Sequence, residues 1–221
     1  MKKYRGGIWL FDAGAWAYDL FTANPIWLAN CARLLAHVPP QQDQLQVLDL
    51  GVGPGGSALA MGQARSTARF VGLDIAQGML AAAARNRFKS GWSAERLLLL
   101  RGDALHLPLA DRKVDAVTGH SFLYLLPDYP LALSEANRVL RPGGYVAFLE
   151  PHAGRVSWPW LWSQPSSRLW VSITLWRFYS GLHRRFSPES MRRCLAQAGF
   201  INISTEVTLG GFGIFGRAQK P

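Results

Sequence analysis

The chain has 221 residues, 49% of them hydrophobic, which excludes a disordered protein and favours one domain with a sizeable core. Its two cysteines, Cys31 and Cys194, match neither a disulfide framework nor a metal-ligand spacing, so the sequence predicts a reducing, cytoplasmic setting and no metal site. The formal net charge is +10, of which residues 151–221 carry +7 (nine Lys/Arg against two Asp/Glu), and nucleic acid, an anionic membrane surface, an acidic substrate or solubility alone would each account for it.

Short apolar runs alternate with amphipathic ones along most of the chain. Residues 12–38 predict two helical segments separated at Asn24-Pro25, within an N-terminal helical cap over residues 1–45. The strands predicted after the cap are Val47–Leu50, Arg69–Leu73, Leu97–Arg101, Val114–Thr118 and Tyr145–Leu149. The helices predicted between them are Gly56–Ala64, Gln77–Lys89 and Tyr129–Leu140. This alternation indicates βαβ units and a parallel sheet with helices on both faces.

The last third of the chain contains a segment that differs from the rest. Residues 152–186 hold five of the nine tryptophans together with five arginines, and they match no pattern that we can place. After them, Ser187-Pro188-Glu189-Ser190 predicts the start of a helix that ends at Gly199. Ile201–Val207 and Phe212–Ala218 then predict a closing antiparallel pair of strands.

The strongest functional signal is VLDLGVGPGG, residues 47–56, where a buried strand runs into a glycine-rich turn that opens a helix. Glycines let the backbone approach a ligand, and the helix N-terminus offers free N–H groups. Gly51, Gly53 and Gly56 also fit the G-x-G-x-x-G pattern of a dinucleotide site. Asp49 argues against a pyrophosphate, which it would repel. It suits a ligand with a cationic amino group, such as S-adenosylmethionine (SAM).

Two further aspartates follow predicted strands. Asp74 ends the second strand, 23 residues after Gly51, where an acid accepts hydrogen bonds from both ribose hydroxyls of an adenosine cofactor. It would also serve as an N-cap for the helix from Gln77. Asp103 follows the third strand and would accept from an adenine amino group while the Ala104 N–H donates to the ring. An ordinary turn aspartate is an equally good interpretation of Asp103.

Taken in order, these motifs resemble the class I family of SAM-dependent methyltransferases, and most closely the subgroup of ubiquinone and menaquinone biosynthesis C-methyltransferases. The resemblance rests on Tyr18-Asp19, VLDLGVGPG, GLDIAQGML, GDALHLPLADRKVDAV, NRVLRPGGYVAFLEP and GGFGIFGRAQKP. It covers roughly residues 12–151 and 187–221. It implies a single domain over residues 1–221, with a Rossmann-like seven-stranded sheet whose last strand is antiparallel. Residues 152–186 would then be a lid insertion before the last helix.

The resemblance also implies which residues surround SAM. The glycine turn would flank the methionine part, an acid after the second strand would hold the ribose, and the residues after the second and third strands would contact adenine. The backbone past the fourth strand would approach the methionine end. Carried over by position, the cofactor residues are Tyr18, Asp49, Gly51, Gly53, Gly55, Asp74, Ile75, Met79, Asp103, Ala104 and His120.

Methyl transfer depends chiefly on alignment and on excluding water, and a base is needed only where the nucleophile holds a proton tightly. Glu150 and His152 follow the fifth strand, at the edge where such sheets bind ligands, and are the candidate catalytic residues. Their structural alternatives are a pairing of Glu150 with a lid arginine and a solvated His152. Tyr124, Tyr179 and His183 are candidates further out.

The density of tryptophan and arginine in residues 152–186 suits a substrate lid and also a membrane interface, and the two are compatible. We therefore expect a small apolar or amphiphilic substrate, and a cytoplasmic protein with a peripheral contact at the anionic inner face of the membrane. An NAD-linked oxidoreductase and a nucleic-acid methyltransferase are the alternatives. We expect no nucleic-acid partner, because residues 120–124 lack the Asn/Asp-Pro-Pro-aromatic motif of enzymes that methylate exocyclic amines.

Overall fold

The computed structural model describes residues 23–39 and 44–221. Seven strands form one sheet: β1 (Gln46–Leu50), β2 (Arg69–Asp74), β3 (Leu97–Arg101), β4 (Val114–His120), β5 (Leu140–Pro151), β6 (Ile201–Thr208) and β7 (Gly213–Gln219). Their order is β3-β2-β1-β4-β5-β7-β6. The strands β1 to β5 pair in parallel, whereas β7 is antiparallel to both β5 and β6. The predicted Rossmann-like fold is confirmed.

The described helices are α1 (Pro25–Ala32), α2 (Gly56–Ala64), α3 (Gln77–Lys89), α4 (Tyr129–Val139), α5 (Trp158–Ser163), α6 (Ser167–Gly181) and α7 (Pro188–Gln197). Side chains cap several of these helices, including the one that the sequence predicts to begin at Ser187. The Asn24 side chain accepts from the Ile26 N–H at the start of α1. At the start of α7, Ser187 and Ser190 form a reciprocal capping box. The first predicted helical segment, with Tyr18, lies outside the described residues.

Two apolar clusters lie on the two faces of the sheet. Val47 belongs to one cluster and its neighbour Leu48 to the other, because successive side chains of a strand point to opposite faces. All seven residues of the central strand β4 are buried. Cys31 and Cys194 are buried free thiols, and burial raises the pKa of both, that of Cys194 to about 11.

The structure differs from the sequence prediction in β5, which begins at Leu140 rather than Tyr145. Val114 pairs with Leu140 and Ala116 with Tyr145, so an irregularity in the register carries the pairing across the Arg-Pro-Gly-Gly turn. Residues 152–186, for which the sequence predicted no elements, contain the two helices α5 and α6. The inner face of α6 is apolar and buries Leu169, Ile173 and Trp176.

Candidate active site

A cavity of about 490 Å³ opens at the carboxyl ends of β1, β2, β3 and β4, within the size range of small-molecule sites. Eight of the predicted cofactor residues line it, and they are Gly51, Gly53, Asp74, Ile75, Met79, Asp103, Ala104 and His120. On its other side, the lining comes from the segment after β4 and from the end of α6. That lining includes Ser121, Phe122, Tyr124, Leu125, Leu126, Tyr179, His183 and Arg184.

The glycine turn takes a backbone conformation that glycine adopts readily. Gly51 and Gly53 have φ values of +63° and +53°, and both line the cavity. A Cβ atom on Gly51 would lie 2.4 Å from Cδ2 of Phe122, so the turn and the segment after β4 are in close contact. Gly55, with φ of +87°, is the N-cap of α2 and does not line the cavity.

Asp74 ties the glycine turn to the start of α3. One carboxylate oxygen accepts from the Gly53 N–H and the other from the Ala76 N–H, each at 2.9 Å. The prediction that Asp74 is the N-cap of α3 is wrong, because Ala76 occupies that position and no side chain caps the helix. The Asp74 carboxylate lines the cavity, as the cofactor interpretation requires. A carboxylate is a chemically suitable acceptor for ligand hydroxyl groups.

The residues after β2 and β3 form the neighbouring wall. Ile75 and the buried side chain of Met79 supply apolar surface, and Ala104 lies beside them. Asp103 accepts from the Leu105 N–H at 2.9 Å, which is the turn role considered for it, and it lines the cavity as well. The cavity lining thus contains the carboxylates of Asp74 and Asp103, and the cation Arg184 lines it at the lid end.

Asp49 does not line the cavity. It is wholly buried, and its two oxygens accept from the hydroxyls of Ser57 at 2.6 Å and Thr118 at 2.8 Å. Burial raises the pKa of this carboxyl to about 6. The geometry gives no support to a direct contact with a ligand amino group. It supports a positioning role, in which Asp49 fixes β1 against β4 and the start of α2.

Glu150 is also wholly buried and lies outside the lining. Its carboxylate accepts from the N–H groups of Phe122 at 3.0 Å, Leu123 at 2.8 Å and Tyr124 at 3.3 Å. Burial raises the pKa of this carboxyl to about 7. The structure therefore does not place Glu150 as a group that reaches substrate, nor does it show a pairing with a lid arginine. Glu150 instead holds the segment that forms the lid side of the cavity.

His152 lies away from the cavity. Its Nδ1 is 2.9 Å from the carbonyl oxygen of Gly211, and its own carbonyl accepts from Arg177 at 2.6 Å. It is buried rather than solvated, because α6 and the turn before β7 cover it. These contacts give His152 a structural role in attaching the lid.

His120, at the end of β4, lies between two cavities. It lines the first cavity and also a second one of about 290 Å³ that extends between α1 and the glycine turn. Its ring packs edge-on against Trp27 at 4.9 Å, and burial lowers its pKa to about 3. His120 is therefore neutral at physiological pH and is placed beside the glycine turn.

An aromatic group at the lid end of the cavity combines rings from two separate parts of the sequence, the segment after β4 and the end of α6. The ring centroids of Tyr179 and His183 are 4.7 Å apart, and Tyr124 lies 6.4 Å from Tyr179 and 6.1 Å from His183. Arg184 stacks over Tyr129 and donates to the Leu126 carbonyl. The sequence named the three rings only as candidates further out, and it assigned no cavity role to Arg184 or to the other residues of the segment 121–127.

Comparison with known proteins shows the family to which the chain belongs. A family model described as a methyltransferase domain matches residues 48–148. Demethylmenaquinone methyltransferase of Staphylococcus aureus strain MRSA252 is 39% identical over 107 residues, which are 48% of this chain and 43% of that one. In strain JH9 the identity is 30% over 188 residues, or 75% of this chain and 72% of the relative. The chain belongs to the class I SAM-dependent methyltransferases.

A solved SAM-dependent methyltransferase from Aquifex aeolicus has the same fold, with a TM-score of 0.69 at 17% identity over 95% of this chain and 98% of that one. The family decides against the NAD-linked oxidoreductase, and SAM is the cofactor of this enzyme. The cavity fits that cofactor, because it combines positive-φ glycines, two carboxylates suited to hydroxyl and amino groups, and an apolar wall. Within residues 23–39 and 44–221, no group of three or more His, Cys, Asp or Glu side chains could bind a metal ion.

Proposed function

We propose that this methyltransferase acts on a small apolar or amphiphilic molecule, which lies between the glycine turn and the lid. The observation that carries the proposal is the shared cavity, whose cofactor wall comes from β1 to β3 and whose opposite wall comes from the aromatic end of α6. An acceptor molecule in this position faces Phe122, Tyr124 and Tyr179. Charged side chains are few at this end, and Arg184 is partly occupied by Tyr129 and Leu126.

In this proposal the chain binds the cofactor with the residues that line the cofactor wall. Asp74 accepts from the ribose hydroxyls, and Ile75 and Met79 pack on the adenine ring. Asp103 and Ala104 read the edge of the ring. Gly51, Gly53 and His120 surround the methionine end, while Asp49 and Gly55 act behind them by fixing the turn. When bound, SAM supplies an electrophilic methyl group on a sulfonium.

The chain's own contribution to catalysis is alignment, exclusion of water and, for some acceptors, removal of a proton. The buried rings of Phe122 and Tyr124 keep water from the methyl acceptor and orient it, which is the main source of rate for an in-line displacement. His183 is exposed at the lid end and touches both tyrosine rings. We assign to it the acceptance of a proton from a hydroxyl-bearing or carbon-acid substrate.

The substrate class is supported by the relatives. The proteins that match at 30% and 39% identity are named demethylmenaquinone methyltransferases, and a flat quinol with an apolar tail suits aromatic walls. The shorter alignment spans less than half of the relative that it matches, so the substrate is inferred from the cavity together with the name. In the same proposal, residues 1–221 act as one domain with residues 152–186 as its lid, and a peripheral contact with an anionic membrane brings the substrate within reach.

The proposal is tested by following transfer of a labelled methyl group from SAM to a panel of acceptors. A short-chain naphthoquinol and other flat apolar phenols should be methylated, whereas a small, fully charged amine should not. His183→Gln should lower kcat and alter the dependence of kcat on pH. Tyr179→Phe should have nearly the native kcat. His106→Gln removes an exposed histidine outside the cavity and is the control. Efficient turnover of the charged amine, with none of the apolar acceptors, would overturn the proposed substrate class.

A further inference from the structure

The outer face of α6 carries an apolar stripe that is open to solvent. Val171, Leu175, Phe178 and Leu182 are 44%, 54%, 69% and 81% exposed, at intervals of four, three and four residues. These intervals place them on one side of a helix. We call Arg168 together with these four residues the outer stripe, because Arg168 lies three residues before Val171 on the same side and is exposed.

The other face of α6 is already buried. Leu169, Ser172, Ile173, Trp176 and Ser180 pack on the protein, so the outer stripe contributes nothing to the core. A helix that is apolar on all sides is normally covered on all sides. Two further tryptophans of the lid, Trp162 on α5 and Trp170 on α6, are also exposed. A surface of this extent on one element marks an interaction site rather than scattered exposure.

The charge around the stripe indicates what covers it. Residues 152–186 contain five arginines and no aspartate or glutamate. Arg177 and Arg185 donate to carbonyl groups within the lid, while Arg155 and Arg168 are exposed. Exposed tryptophans beside arginines are typical of a helix that lies in the headgroup region of an anionic membrane. In the part of the chain that the structure describes, no helix is long and apolar enough to span a membrane.

We propose that the outer stripe docks the enzyme on an anionic lipid bilayer, so that an apolar substrate passes from the bilayer into the cavity beside α6. This rests on the proposed function for the apolar substrate, and it names the surface that makes the membrane contact. The geometry links the two, because Tyr179 and His183 at the end of α6 line the cavity while Phe178 and Leu182, next to them in the chain, face outward. The sequence associated the tryptophans of residues 152–186 with this contact, and Trp158 and Trp160 are two of them. Trp158 packs edge-on against Phe212 and Trp160 covers Gly210, so both attach the lid to the body of the protein.

The test is co-sedimentation of the full chain with sucrose-loaded vesicles of equal phosphatidylglycerol and phosphatidylcholine, compared with phosphatidylcholine alone. The native protein should bind the anionic vesicles and be released as salt rises. Leu175→Ser with Phe178→Ser should reduce binding about tenfold or more, because the partition of apolar side chains is lost. The matched control is Leu98→Ser with Phe88→Ser, which removes side chains that are 52% and 84% exposed outside the lid, and its binding should stay within about twofold of native.

The charge contribution is tested in the same assay. Arg155→Gln with Arg168→Gln should weaken binding on the order of fivefold for each arginine, the effect of about one basic residue at an anionic surface. Arg69→Gln with Arg85→Gln, at exposed positions outside the lid, is the control. Unchanged affinity of every variant for S-adenosylhomocysteine, by calorimetry, shows that the fold is intact.

Three results would overturn the docking proposal. The first is that the native protein does not bind anionic vesicles, and the second is that the Leu175/Phe178 variant binds them as well as the native protein does. The third is that the native protein is a dimer in solution and binds no vesicles, while the Leu175/Phe178 variant is a monomer. The last result would assign the stripe to a second copy of the chain. Failure of the proposed function is distinguishable, because it leaves vesicle binding intact while no apolar acceptor is methylated in detergent.

Discussion

Asp74 offers the sharpest test of the cofactor site, because its carboxylate is fixed before any ligand binds. One oxygen accepts from Gly53 and the other from Ala76, both at 2.9 Å, so the group is held at the cavity wall by two backbone donors. A hydrogen bond to a charged group contributes about 1.5–3 kcal/mol. Asp74→Ala should therefore weaken binding of S-adenosylhomocysteine by about 10- to 150-fold.

Asp74→Asn removes the negative charge of the side chain while keeping its shape, so it measures how much the charge contributes to binding. The amide keeps one acceptor oxygen but turns an NH₂ group toward one of the two backbone N–H donors. We expect a loss of about tenfold, near the lower end of the range for the alanine variant. Isothermal titration calorimetry at one pH and one salt concentration measures all three proteins.

The control for this prediction is Asp115→Asn, at the opposite end of the sheet. Asp115 accepts from the Gln46 N–H at 2.8 Å and from Arg141 at 2.5 Å, where β4 begins. It should lower the melting temperature and leave the affinity within about twofold, since a distant site is independent of the cavity. The 2′,3′-dideoxy analogue of S-adenosylhomocysteine completes a double-mutant cycle with Asp74. An Asp74→Ala variant that binds natural ligand as tightly as native, or equal losses for both ligands, would refute the ribose contact.

Three other predictions concern the framework of the site. Burial raises the pKa of Glu150 in the folded protein to about 7 from an ordinary 4.5, so its contribution to stability is present at low pH and is lost as the pH rises. In urea titrations, the free energy of unfolding of the native protein relative to Glu150→Gln should fall by about 3 kcal/mol between about pH 4.5 and pH 8. Parallel pH curves for the two proteins would contradict this prediction. Gly51→Ala should bind S-adenosylhomocysteine more weakly than the native protein, because its Cβ would lie 2.4 Å from the Phe122 ring. Adding Phe122→Ala removes this clash but not the cost of about 1 kcal/mol for alanine at a positive φ, so the double variant should recover only part of the affinity. Native affinity in the single variant would show that the contact is not close. Arg138→Ala should lower the free energy of unfolding by about 1–3 kcal/mol, because the Arg138 guanidinium donates to two carboxylates and two backbone carbonyls. Arg193→Ala, whose carboxylate partner is mostly exposed, should lower it by at most about 0.5 kcal/mol. Thermal unfolding measures both variants, and equal losses would refute the comparison.

The sequence predicted the sheet and the cofactor wall well because both depend on local patterns. The helices Gly56–Ala64 and Gln77–Lys89 have the predicted bounds, and the glycine turn lies where the strand-turn-helix pattern puts it. Asp49 shows the limit of such patterns. Alternation along β1 places Asp49 on the same face as Val47, which is packed in a core cluster, and this signal favours an inward carboxylate over one that faces a ligand.

Glu150 could not be assigned from sequence for a different reason. Its three backbone donors lie 26 to 28 residues earlier in the chain, so the contact exists only after β4 and β5 have paired. The lid was ambiguous because α6 has two apolar faces. Positions 169, 173 and 176 fit helical spacing as well as positions 171, 175 and 178 do, and only the packing decides which set is buried.

The two walls of the cavity differ in how much of each lies within the residues that the family model matches. The family model covers residues 48–148, which include the cofactor wall and Tyr124 but stop before Tyr179, His183 and Arg184. Cofactor recognition uses backbone turns and carboxylates that the shared motifs fix, whereas the acceptor is enclosed by a helix whose side chains those motifs do not specify. A substrate name carried over from a relative is justified only as far as the lid residues agree. Turnover of different acceptors by the native enzyme and by His183→Gln is thus a more direct measure of substrate class than the affinity of the cofactor site.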